Sequence, residues 1–132
     1  MVGVTAPTDD EKALAQEAFP NGETVTIIKP GTKTDPFSGE TVDDWANPVE
    51  VDYPYCAVGM GPGSEAWLVG RDLTQVALTV YLPYAAVDAL STDRARVRGV
   101  EYGVYGDAFL WRSPFDPDGP GGVELALKAG EG

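Results

Sequence analysis

Histidine is absent from this 132-residue chain, and cysteine occurs once, at Cys56. Without histidine, Ser-His-Asp and Cys-His nucleophilic systems are excluded, and the commonest zinc ligand is missing. One cysteine closes no intrachain disulfide and builds no thiolate metal cluster, so nothing points to an oxidising compartment. Cys56 lacks an activating base and reads as a buried, structural thiol. Basic residues are scarce too: nine Lys and Arg against 21 Asp and Glu leave a formal charge of −12. Such a surface repels phosphates and disfavours tight binding to nucleic acid or to an anionic membrane, yet it lets DNA slide past without sticking. No apolar run reaches the length of a membrane span, and no basic segment followed by an apolar one opens the chain. The expectation is a soluble protein made in the cytosol.

What the chain does contain is turn chemistry and short β-patterned runs. Its length allows one domain with one core, and 43% hydrophobic residues suit a globular fold. Gly and Pro are plentiful, 16 and 11 residues, and they punctuate the sequence. The most ordered signal is the stretch 93–115, DRARVRGVEYGVYGDAFLWRSPF. With Gly99-Val100 as a two-residue type II′ turn, Arg98 pairs with Glu101, Val97 with Tyr102, Arg96 with Gly103 and Ala95 with Val104. That register puts Ala95, Val97, Tyr102 and Val104 on one apolar face, with Arg98 and Glu101 opposed on the other. An aromatic segment from Phe109 follows, and Pro114 stops it.

Upstream, Thr8-Asp9-Asp10-Glu11 is a capping-box signature. It predicts a short helix through Ala18, ended by Pro20-Asn21-Gly22, with a thin apolar face of Leu14, Ala18 and Phe19. The run 23–29 is β-branched and reads as a strand. The turn Asp35-Pro36-Phe37-Ser38-Gly39 predicts an extended hairpin with Phe37 exposed at its tip. Residues 43–48 leave that hairpin, 49–52 form a further edge segment, and 56–60 form a separate short strand. Residues 74–82 alternate strictly, with Val76, Leu78, Val80 and Leu82 on one side. A helical turn over 85–90, a turn-dense loop over 116–122 and a last strand carrying Val123, Leu125 and Leu127 complete the pattern. Six or seven short strands with one helix predict a mainly β chain: a small single-domain β-barrel with long loops and a short N-terminal helix. The expected division is an arm over 1–22, the barrel over 23–129 and a tail over 130–132.

Catalytic patterns are thin. Asp43-Asp44 and Asp9-Asp10-Glu11 are neighbours in sequence only, and solvated surface charge accounts for them. The run 116–119 begins like a calcium loop but lacks the remaining ligand positions. The Gly-rich stretches 59–63 and 119–122 lack the Gly-Lys-Ser/Thr of a phosphate loop. Arg94, Arg96 and Arg98 share a strand face and in so acidic a chain pair with carboxylates, within the subunit or across an interface. Trp45, Trp67 and Trp111 lie near loops or strand ends beside Phe37 and Phe115. Core filling accounts for Trp111, whereas aromatics on protruding tips are typical interface anchors.

The ordered motifs Cys56-Ala57-Val58, Gly63-Ser64-Glu65, Gly70-Arg71-Asp72, Leu82-Pro83, Asp93-Arg94 and Arg98-Gly99-Val100-Glu101-Tyr102 continue with Gly106-Asp107 and Trp111-Arg112-Ser113-Pro114-Phe115. From about Gly22 to Lys128, this order resembles the head-to-tail stopper (head completion) proteins of long-tailed bacteriophages, particularly those of actinobacterial hosts. The resemblance implies a non-enzymatic β-barrel protein with no cofactor and no metal. Its copies would form a homo-oligomeric ring at the neck of the virion, between the adaptor above and the tail terminator or tail below. A hexamer is preferred, with a dodecamer as the alternative; six copies at −12 each would carry −72. The ring would retain packaged DNA, let it pass without sequence-specific binding, and provide the platform on which the tail docks.

By the same resemblance, a loop between two strands closes the channel. The matching segment is 61–72, with Gly61, Pro62, Gly63, Ser64, Glu65, Trp67, Gly70, Arg71 and Asp72 as its candidate residues. Candidate subunit or partner contacts are Phe37, Trp45, Arg94, Arg96, Arg98, Trp111, Arg112 and Phe115. The alternatives are another ring protein of the neck or tail, the tail terminator, or a small carboxylate-based hydrolase or sugar-binding β domain. A concave pocket with paired carboxylates and an aromatic platform would distinguish the last of these.

Overall fold

Among the described residues, runs of β-branched residues between Gly and Pro turns fold into six antiparallel strands behind one helix. A computed structural model describes residues 6–60, 76–84, 87, 89–111 and 121–129. The elements are α1 (Asp9–Ala18), β1 (Glu23–Thr34), β2 (Thr41–Met60), β3 (Val76–Leu82), β4 (Arg94–Val97), β5 (Val100–Trp111) and β6 (Gly122–Ala129). The strands close into a barrel in the order β1-β2-β3-β6-β5-β4, with β4 pairing back to β1. The fold is the small β-barrel with a short N-terminal helix that the strand pattern predicts.

The core is filled by the inward residues of every strand, among them Val25, Ile27, Tyr53, Val80, Leu82, Val97, Val104, Leu125 and Leu127. β3 shows the expected alternation, its odd members half-buried between buried Val76, Leu78, Val80 and Leu82. β6 departs from it. Val123, Leu125 and Leu127 face the core, but Glu124 and Ala126 on the other face are buried as well. β6 lies between β3 and β5, and its Ala126 packs with Val76 and Tyr105 outside the main core.

The hairpin of β4 and β5 forms, with its turn moved one residue earlier than expected. The central turn residues are Arg98 and Gly99, both at positive φ (53° and 77°), the type I′ pattern rather than II′. Val97 therefore faces Val100, Arg96 faces Glu101, Ala95 faces Tyr102 and Arg94 faces Gly103. The apolar face survives, because the shift moves each pair by an even step and leaves in–out parity unchanged. The second neighbour of β4 selects this register: β1 pairs Val25 with Val97 and Ile27 with Ala95. Arg98 is thereby freed from the strand to reach Glu23.

A second correction concerns residues 41–60. Instead of separate segments they form one strand, bent twice where the prolines fall. Opposite the step from Lys29 to Gly31, β2 runs from Val49 to Asp44, so extra residues bulge out. The Asp44 carboxylate closes this bulge by accepting from Ala46 N–H (3.1 Å) and Asn47 Nδ2 (2.7 Å). Gly31 makes room for it, since a Cβ there would lie 2.2 Å from the Asn47 carbonyl oxygen. The second irregularity lies between the pairs Glu23–Cys56 and Val25–Tyr53. There Tyr55 adopts φ 61°, and the Pro54 carbonyl accepts the Tyr84 hydroxyl at 2.5 Å.

Helix α1 begins at the expected capping box: Thr8 Oγ1 accepts from Glu11 N–H (3.2 Å), and Glu11 Oε1 accepts from Thr8 N–H (2.9 Å). It docks on β2 through Ala15, and of the expected face of Leu14, Ala18 and Phe19 only Phe19 packs. Leu14 is 48% exposed and Ala18 is exposed, while fully buried Ala15 joins the main core. A small side chain lets the helix approach the strand closely, which the bulkier Leu14 would prevent. Phe19 follows with an edge contact to the Tyr81 ring at 5.8 Å. The loop 61–72, half of the turn over 85–90 (positions 85, 86 and 88) and the loop over 116–120 lie outside the described residues.

Candidate functional site

The β1–β2 hairpin reaches past the barrel and ends in a turn built by its own side chains. Asp35 accepts from the Phe37 N–H (2.9 Å) and the Ser38 hydroxyl (3.1 Å), and Ser38 Oγ accepts from Glu40 N–H (3.2 Å). Backbone bonds from Asp35 N–H to Glu40 O and from Gly39 N–H to Asp35 O lock the same turn. Phe37 at its apex is 97% exposed, as the turn chemistry predicts. A rigid turn that holds an aromatic ring in water is a pre-organised contact residue.

The three arginines of the 94–98 face all find carboxylates within the same chain. Arg94 Nη1 reaches Glu101 Oε1 at 3.1 Å, and its guanidinium lies 4.2 Å from the Trp45 ring centroid. Arg96 forks onto Glu50 at 2.9 and 2.8 Å, and Arg98 onto Glu23 at 2.5 and 2.7 Å. The expected Arg98–Glu101 pair is replaced, because Arg98 sits in the turn and Glu101 lies beside Arg94. Hydrogen bonds from Arg98 and Arg96 hold the Glu23 and Glu50 carboxyls below their ordinary range and raise the guanidinium values in turn. Trp45, β1, β2, β4 and β5 thus share one charge-neutralised face. It is exposed enough to meet a partner but offers no surplus positive charge from these three residues.

Trp111 is 40% exposed and Leu110 66% exposed at the end of β5, where Trp111 packs edge-on against Phe109 at 5.0 Å. Core filling therefore does not describe Trp111; it is an outward aromatic. Arg112 and Phe115 lie outside the described residues, as do Gly61, Pro62, Gly63, Ser64, Glu65, Trp67, Gly70, Arg71 and Asp72. The described residues that flank the 61–72 segment are Met60, the last of β2, and Val76, the first of β3.

Cys56 is buried and donates to the Tyr53 carbonyl at 3.1 Å. Burial pushes its thiol up to about 12, so it stays protonated and unreactive, a structural cysteine as its lone occurrence predicts. Asp44 is committed to its bulge, where the Asn47 amide is the first cause holding its carboxyl below the ordinary range. Asp9, Asp10 and Glu11 form the first turn of α1. Among the described residues no cluster of His, Cys, Asp and Glu is placed to hold a metal, and no helix is long and apolar enough to cross a membrane.

Sequence reasoning missed one polar feature. Asp93, 4% exposed, accepts from Lys29 Nζ and from the Leu90 N–H (2.8 Å), and so ties the entry of β4 to the middle of β1. The pair is 64 residues apart, and no local spacing announces it. No protein-family model matches the chain, and no curated protein matches it either.

Proposed function

We propose that this chain is a non-enzymatic structural protein of a long-tailed bacteriophage, forming a ring at the head–tail neck. On this reading it is a stopper: copies assemble between the adaptor and the tail, retain the packaged DNA and provide the docking platform for the tail. The observation that favours it most is the closed barrel with a rigid projecting arm, tipped by fully exposed Phe37. A barrel supplies a compact wall element, and an arm supplies the reach from one ring position to the next. Charge agrees with this: −12 per copy gives a wall that DNA passes without being trapped.

The segment 61–72, between β2 and β3, is assigned as the channel-closing loop. The exposed face of Trp45, Arg94, Arg96 and Arg98, together with the 111–115 run, is assigned to subunit and tail contacts. The reading is tested on virions. Density for the chain is expected at the neck, and a deletion of residues 62–70 should leave capsids that package DNA but leak it before tails attach. A chain found within the tail or missing from the virion overturns the assignment, and normal DNA retention in the deletion overturns the plug.

A further inference from the structure

One row of the sheet crosses three strands with a glycine in the middle. Arg94 on β4 pairs with Gly103 on β5, and Gly103 pairs with Lys128 on β6. Directly opposed residues share a face, and their neighbours Ala95, Val104 and Leu127 are buried, so this row faces outward. Two strand spacings, about 10 Å, separate the Arg94 and Lys128 backbones. The Lys128 stem leans over Gly103 into that space, since a Cβ added at Gly103 would lie 3.2 Å from Lys128 Cε. A notch of about 270 Å³ results, walled by Arg94 and Lys128 and lined also by Ser91, Thr92 and Glu101. We propose that this notch binds a carboxylate, a role independent of where the chain sits in a virion.

The charges at the notch leave a cation to spare. Arg96 and Arg98 fork onto Glu50 and Glu23, but Arg94 gives Glu101 a single hydrogen bond, from Nη1 at 3.1 Å. Among the described residues Arg94 Nη2 has no carboxylate partner, and Lys128 makes no ion pair. Both carboxylates at the site are engaged, Asp93 by Lys29 and the Leu90 N–H, Glu101 by Arg94. Arg94, Lys128 and Lys29 against Asp93 and Glu101 sum to one positive charge, in a chain of −12. Glu124, the other carboxylate of β6, lies four residues from Lys128, about 13 Å along the strand. One surplus charge matches a monoanion rather than a phosphate, and a carboxylate fits the planar fork of Arg94. The turn carrying Ser91 and Thr92 is locked by Asp93 N–H to the Leu90 carbonyl (2.9 Å) and by Leu90 N–H to the Asp93 carboxylate (2.8 Å). Two exposed hydroxyls are thus preset beside the cations. The volume falls just below the range of small-molecule sites, so the notch holds the carboxylate and little of what carries it. Its source is a short free acid or an Asp or Glu side chain of another protein.

Amide chemical shifts of the purified full-length chain test this. Acetate and the peptide acetyl-Gly-Glu-Gly-amide are titrated separately, against sodium chloride at equal ionic strength. Two charge-assisted contacts place half-saturation at about 1 mM, with shifts confined to 91–94, 101–103 and 128. Lys128→Met keeps the stem and should weaken binding about tenfold; Lys128→Gln, polar and uncharged, should do the same. Gly103→Val fills the notch and should abolish binding, whereas Lys33→Met on the arm should change nothing. The same spectra show that each variant keeps its fold. A peptide that binds more tightly than acetate assigns the site to a protein-borne carboxylate, and one that binds no more tightly assigns it to a free acid. Shifts that chloride reproduces, or that spread equally to Lys12 and Lys33, overturn the site. Tighter binding of inorganic phosphate overturns the carboxylate, and unchanged binding in both Lys128 variants overturns the role of the notch.

Discussion

Replacing Asp93 by alanine tests how far the barrel depends on one buried ion pair. The side chains of Lys29 and Asp93 are 11% and 3% exposed, and Asp93 also accepts the Leu90 N–H. The Asp93 carbonyl in turn accepts from Val104 N–H at 3.2 Å, so this corner joins β1, β4 and β5. Removing the Asp93 carboxylate takes away its ion pair with Lys29 and the acceptor of the Leu90 N–H in a poorly solvated site, at about 3–5 kcal/mol. Asp93→Ala should thus cost about 4 kcal/mol, a large share of the roughly 5–15 kcal/mol that holds a domain of this size. With a urea m-value of about 1.5 kcal/mol/M, the midpoint should fall by about 2.5 M. Lys29→Met keeps the apolar stem and should cost about 3 kcal/mol. The double variant K29M/D93A should recover about 2 kcal/mol relative to the sum of the two, because both truncations remove the same ion pair. Urea melts of the four proteins close the cycle. A loss below about 1 kcal/mol in D93A, or strict additivity in the double variant, refutes the reasoning.

Acid should erode stability through Glu23, Glu50 and Asp44. Their folded values lie below the ordinary 4.5 and 3.8, so the contribution is complete above that range and is lost as pH falls through the folded values. Glu50→Gln should flatten the fall, read as urea midpoint against pH. Alkali acts in the opposite sense at Cys56: raised from 9.0 to about 12, the thiol contributes stability below pH 9 that is lost between those values. A thiol reagent at neutral pH should label denatured chains and spare native ones. Gly31→Ala drives a Cβ into the Asn47 carbonyl oxygen and should cost about 2 kcal/mol, or about 7 °C in Tm. Gly39→Ala meets only open space at φ +75° and should cost about 1 kcal/mol, so equal losses would refute the bulge.

Elements whose signal is local were legible. The Thr8–Glu11 capping box, the Asp35 turn with exposed Phe37, the alternation of β3 and the burial of Cys56 each depend on residues within a few positions of one another. What failed depended on a neighbour distant in sequence. Residues 43–48, 49–52 and 56–60 read as separate segments because nothing local shows that bulges join them into one strand past the prolines at 48 and 54, the first bulge closed by Asp44 and made possible by Gly31. Trp111 read as core because its composition is apolar, whereas its position at the end of β5 leaves it outside.

The sequence alone determined that the chain is a barrel with one capped helix, and which residues of β3 and β4 face inward, because parity and turn chemistry are properties of short windows. Tertiary structure decided the rest: that the turn is Arg98-Gly99, that Ala15 rather than Leu14 docks the helix, and that each arginine takes its particular carboxylate. A strand between two partners adopts the register that satisfies both, and β4 met its second partner, β1, only when the barrel closed. That closure also buried Asp93 against Lys29.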